Sequence, residues 1–210
     1  MSLTTTAIRS ISSGPVGDLL KPFGFKRLAP HYWRDSDGLF HVVNFQASQW
    51  GTRDEGRFTI NLAVSQPDLY YAFTGKAFPS NPASALWPIN VRIGHLVPDQ
   101  RDLWWKVSAS SDLRSIGAEV AVVLREYGLP FFQQYASAAS LSAALLGTEP
   151  ISSVYPAQRP LIAAALCARL NRPDDASKLL NAALQSHAGK PFEQTIRALA
   201  NRLGISLRGA

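Results

Sequence analysis

Two short segments of the chain place uncharged hydrogen-bonding side chains at every second position. They are Asn44, Gln46 and Ser48 in NFQAS, and Thr59 and Asn61 in FTINLAV. Such alternation marks a strand whose two faces differ. An ordinary wet face is rich in Lys, Glu and Arg, whereas amides and hydroxyls can read a polar ligand or a peptide through hydrogen bonds. Arg92, Asp102 and Trp104, carried by later segments, are expected to join that face. The candidate contact set is therefore Asn44, Gln46, Ser48, Asn61, Arg92, Asp102 and Trp104.

Other chemistry is poorly served. The four histidines (His31, His41, His95, His187) show no HxH or HExxH spacing. His31 and His41 flank an expected hairpin and can approach each other, but rings on paired strands are common, so no metal is assigned. The single cysteine, Cys167, lies in the apolar run LIAAALCARL and reads as a small buried hydrophobe. There is no GxSxG, no phosphate loop and no GxGxxG, and no cofactor is expected. Asp174 and Asp175 sit at a helix start, where the dipole explains them. An enzyme would have to be assembled from dispersed groups, with Arg92 and Asp102 at strand ends as its candidates.

These residues need elements to hold them. Residues 26–34 read as a first strand, SDG at 36–38 as a tight turn, and 39–48 and 57–65 as the next two strands. Residues 89–96 and LWWKV are expected to add two more. The apolar sides of strands two and three (Val43, Phe45, Ala47; Phe58, Ile60, Leu62, Val64) should pack on a helix around Val120. Phe40 and Val42 share parity with Asn44, so a bulge near Val42–Val43 is expected. Trp104 and Trp105 are adjacent and cannot both face the core. Between the strands, residues 66–88 form an excursion rich in proline and aromatics. Either it folds over the amide face, whose side chains then satisfy its backbone, or the face stays open to a partner.

Helical spacing occupies both ends. Residues 3–20 suggest a helix interrupted at Gly14–Pro15. Leu113, Ile116, Val120, Val123, Leu124 and Tyr127 mark a helix ending at Gly128 and Pro130, and 131–146 a further helical region. Residues 156–171 and 173–187 form an expected hairpin, followed by a helix over 192–203. The fold class is thus α+β: an antiparallel sheet of about five strands packed on helices, with a C-terminal helical extension. Residues 1–150 are expected to form the mixed domain and 151–210 a helical buttress on it.

With 210 residues, 46% hydrophobic and 17% charged, the chain is long and apolar enough for a sizeable core. No segment nears the ~20 apolar residues that span a bilayer. The N-terminus lacks signal-peptide character, so a cytoplasmic location without membrane contact is expected. The net charge is +6. Residues 151–210 hold eight Lys and Arg against three acids, and the remainder is nearly balanced. Those cations are singly spaced, unlike a phosphate-tracking strip, which argues against nucleic acid.

The series GFKR at 24–27, HYWR at 31–34, VVNFQASQW at 42–50, FTINLAV at 58–64, RIGHL at 92–96 and DLWWKV at 102–107 resembles the bacterial "domain of unknown function 4304" family over roughly residues 15–130. The resemblance implies a small mixed α and β domain with no established activity. Some members sit beside bacterial conflict systems, which implies an immunity-type role. The expected function is a non-catalytic binding module for an unknown protein or a small polar ligand. The alternatives are an enzyme at the polar face and nucleic-acid binding through the basic tail.

Overall fold

The computed structural model describes residues 2–52, 54–85, 88–149, 151 and 154–207. Its organising element is a long strand with one apolar and one polar side. In Glu55–Ser65 (β4), Phe58, Ile60, Leu62 and Val64 are fully buried on one face. Leu39–Ala47 (β3) pairs along one edge of β4, from Phe40↔Ser65 to Ala47↔Phe58. Ile89–Arg92 (β5) and Trp105–Ser108 (β6) share the other edge end to end, β5 opposite residues 61–64 and β6 opposite 55–58. Lys26–Leu28 (β1) and His31–Ser36 (β2) complete a sheet in which every pairing is antiparallel. It has six strands because the expected first strand folds back at Ala29–Pro30 and pairs with itself.

Leu3–Ser13 (α1) and Pro15–Leu20 (α2) break at Gly14–Pro15 as the sequence indicates, and Ser2 caps the first of them. Pro67–Thr74 (α3) gives the excursion a helix of its own. Leu113–Val123 (α4) starts on Asp112, whose carboxylate accepts from the Arg114 and Ser115 amides. Val120 of α4 is buried in one cluster with Val43, Phe45, Phe58, Ile60, Leu62 and Val64 as anticipated, whereas Ala47, expected on the same face, is exposed at the end of β3.

That helix does not stop at Gly128. A π-helical turn, Leu124–Gly128, carries it into Leu129–Gln134 (α5), with the Leu129 amide donating to the Leu124 carbonyl. The wider turn accommodates Pro130, which has no N–H to give. A Cβ at Gly128 would sit 3.1 Å from Leu124 and 3.4 Å from Leu62, so glycine lets the turn lie against β4. The expected region 131–146 is accordingly two helices. Ser137 begins a new one, Ala138–Leu146 (α6), with a reciprocal Ser137–Ser140 capping box.

The tail comprises Arg159–Arg169 (α7), Pro173–His187 (α8) and Phe192–Arg202 (α9). Leu161 to Cys167 are buried on every side, with α3, α6, α8 and α9 packed around α7. Three alanines in that run allow close helix approach. The tail's cations serve it internally. The Arg159 guanidinium donates to the carbonyls of Ala144, Leu145, Gly147 and Glu149 at the end of α6. Arg202 does the same for Ala72 and Phe73 at the end of α3, and Arg169 pairs with Asp68 at 2.9 Å.

Candidate functional site

The second face of the sheet is not uniformly polar, because β3 runs without a bulge. Eight consecutive pairs with β4 are in regular register. Phe40 and Val42 therefore stand on the same side as Asn44 and Gln46. The reason is a second, smaller apolar cluster of Val42, Ala63 and Ala83, with Trp33 packed against it. The excursion covers this half. Phe78 stacks on Phe40 at 5.1 Å, Tyr70 meets Phe78 edge-on, and the short turn Pro82–Ser84 lies over β2 and β3. Asn44 holds the margin of that cover, its amide reaching the Ala83 carbonyl at 3.5 Å.

Beyond Asn44 the end of β3 becomes exposed. Asn61, opposite Asn44, is 8% exposed and donates to Gln46 Oε1 at 2.7 Å and Asn44 Oδ1 at 3.5 Å. Gln46 itself is exposed. Thr59 is buried, and its hydroxyl donates to the Leu103 carbonyl at 2.8 Å, tying the β5–β6 connection to β4. Ser48 accepts from the Trp50 amide and serves the hairpin turn. Of the candidate amides and hydroxyls, then, Gln46 is exposed, and Asn44, Ser48 and Asn61 each hydrogen-bond within the chain.

The register builds the rest. Asn61 pairs with Arg92 and Arg57 with Lys106, which sets Trp104 between the two arginines along β4. The guanidinium carbons of Arg57 and Arg92 lie 4.9 and 5.1 Å from the Trp104 ring. Each such contact contributes about 0.5–1 kcal/mol at an exposed site. Asp102 closes the group, accepting from Arg92 Nη1 at 2.6 Å and from Trp104 Nε1 at 2.7 Å. The Trp104 and Arg92 hydrogen bonds hold its carboxyl below the usual carboxylate range. Arg92 Nε is buried with no hydrogen-bond partner among the described residues. Trp105 faces the core and stacks on Phe58. Next to Arg57 and Lys106, Trp50 is 71% exposed beside a concavity of about 160 Å³.

Arg57, Lys106 and Trp50 were missed by sequence reasoning. Arg57 was within reach, since it stands two residues before Thr59 on the same strand. Its meeting with Trp104 depends on cross-strand register. The histidine pair does not form: β2 and β3 put His31 and His41 on opposite faces. Among the described residues no group of three or more His, Cys, Asp or Glu is arranged to hold a metal ion.

Different costs are expected for the two amides. Asn61→Ala should lose about 1–2 kcal/mol in urea denaturation, because it strips a buried, bonded group. Gln46→Ala should cost less, about 0.5–1 kcal/mol, because the side chain it removes is exposed but the buried Asn61 amide is left with only the 3.5 Å bond to Asn44. Equal losses would place both under cover.

A family model described as "Domain of unknown function (DUF4304)" matches residues 16–134. The matched span contains all six strands and every candidate residue and ends where α5 ends. No curated protein and no solved structure matches the chain.

Proposed function

The chain belongs to this family of domains of unknown function, and we propose that it is a non-catalytic binding module. Its contact surface is the open half of the second sheet face. The observation that carries the reading is the Trp104 indole set between Arg57 and Arg92 and clamped by Asp102. Guanidinium groups stacked on a ring keep their N–H edges directed and lose little entropy on pairing, which suits carboxylates on a protein partner. Exposed Gln46, Lys106 and Trp50 extend the surface with amide, cationic and apolar contacts. An interface of this composition, aromatic and arginine at the centre, is the usual setting of binding hot spots.

Two features weigh against the alternatives. An Asp102 held ionised by Arg92 and Trp104 is a weak general base, which disfavours catalysis there. Of the eight tail cations, Arg159, Arg169, Arg172, Lys178, Lys190, Arg197 and Arg202 all bond or pair within the protein, and Arg208 lies outside the described residues. That leaves little for a phosphate backbone. Among the described residues no helix is long and apolar enough to cross a membrane. An immunity-type role is the form of this reading in which the partner is a toxin.

The test is affinity capture from the source cell with wild type and with Arg57→Glu. Arg57 is exposed and its substitution should leave the thermal midpoint within about 2 °C. The expected result is a protein retained by wild type and reduced at least tenfold on the variant. Undiminished recovery would remove the reading.

A further inference from the structure

On the opposite side of the molecule, we infer that the trough between the α1–α2 corner and α4 is a docking site for an acidic amphipathic helix of a partner protein. The trough measures about 740 Å³. Its floor is apolar: Pro15 and Leu19 on one wall, Leu113, Ala118, Ala121 and Val122 on the other. Val122 is 45% exposed in mid-helix, an apolar side chain that the sheet and its helices leave uncovered. Small residues at 118 and 121 let a second helix approach α4 closely.

Charge fixes the kind of occupant. Arg114 and Arg125 stand at the two ends of the trough, and neither guanidinium has an ion-pair or hydrogen-bond partner among the described residues. Arg114 lies in the first turn of α4, where the helix dipole disfavours a cation, so it does not serve the helix that carries it. Arg125 belongs to the π-helical turn, a feature that recurs at functional sites and here sets where the far end of the trough falls. The two are eleven residues apart, roughly 16 Å along the helix. A helix laid in the trough with carboxylates eleven positions apart meets both, and its apolar stripe covers Val122. Asp18 on the facing wall adds a site for one cation of the occupant and sets its direction. A second copy of this chain is a poor occupant, since its own net charge is +6.

The test uses the full chain and a fluorescein-labelled 18-residue designed helix with a leucine stripe and glutamates eleven positions apart. Fluorescence anisotropy should show saturable binding to wild type. The double variant Arg114→Glu with Arg125→Glu should weaken it at least tenfold, and a lysine-for-glutamate peptide should restore binding to that variant. Val122→Arg, also at an exposed position, should block both peptides. Arg57→Glu, on the sheet face, should leave binding unchanged, which separates this site from the one proposed above. The inference is overturned by absence of saturable binding, by equal binding to the double variant, or by equal binding of a scrambled peptide of the same composition. It is likewise overturned if sedimentation shows a wild-type dimer that the double variant abolishes, because the occupant is then a second copy.

Discussion

Gly94→Ala is expected to cost about 2–3 kcal/mol of stability and to abolish capture through the sheet face. Gly94 sits in the short helical turn Ile93–His95, where the chain leaves β5 and doubles back. A Cβ there would collide with the Arg101 carbonyl, approach the Leu103 amide to 2.6 Å and reach the Leu103 Cβ at 2.9 Å. Two of these obstacles are backbone, so no rotamer change relieves them. Residues 101–103 must move, and they carry Asp102, the Thr59 bond to Leu103 and the approach to Trp104. Packed interiors resist such displacement, which makes one methyl group expensive. Urea denaturation measures the loss, and the near-ultraviolet dichroism of the tryptophans should change with it. Stability within 0.5 kcal/mol of wild type would mean that the connection is loose, and that the Trp104 group is not held as described.

Acid should weaken the fold through His41. Its ring is fully buried, stacks on Phe132 at 4.8 Å, accepts from Arg34 Nε and meets the Tyr135 carbonyl through Nε2. Burial lowers its pKa from 6.5 to about 4. With the folded value below the unfolded one, the unfolded chain binds the proton first. The stability contribution is complete above pH 6.5 and falls away as pH drops towards 4, by ~3 kcal/mol in total. His31 is lowered by burial too and acts in the same direction, so the comparison must be made against a variant. His41→Gln, less stable at pH 7, should show a flatter dependence between pH 6.5 and 4. Parallel curves for the two proteins would show that His41 is not the group that titrates.

Much of the frame was legible in the residues. The even positions of FTINLAV face the core because nothing interrupts their alternation, and the break at Gly14–Pro15 follows from proline chemistry. The motif series pointed to the family whose model matches. The second face was harder to read. Phe40 and Val42 look like core residues, and a single-core picture then demands a bulge; a second small cluster beneath the excursion removes that need. Gly128 and Pro130 look like a helix end because composition does not reveal a π-helical turn. The amides drew attention by type, yet Asn44, Ser48 and Asn61 bond to their own chain. Arg57 gains its meaning from Trp104, which lies 47 residues further along the sequence and is brought beside it only by β4–β6 pairing. Local pattern reports which face a residue takes; what it touches there depends on register.

The central claim is that the face around Gln46 and Trp104 meets a partner, and site-specific photocrosslinking tests it most directly. A benzophenone side chain replaces exposed Gln46 in one protein and exposed Glu126, on the π-helical turn, in another. Both are irradiated in the source cell. The account predicts a discrete covalent adduct from position 46 that Arg57→Glu removes, and no matching adduct from position 126. The same adduct from both positions, or one from position 46 that survives Arg57→Glu, would contradict it.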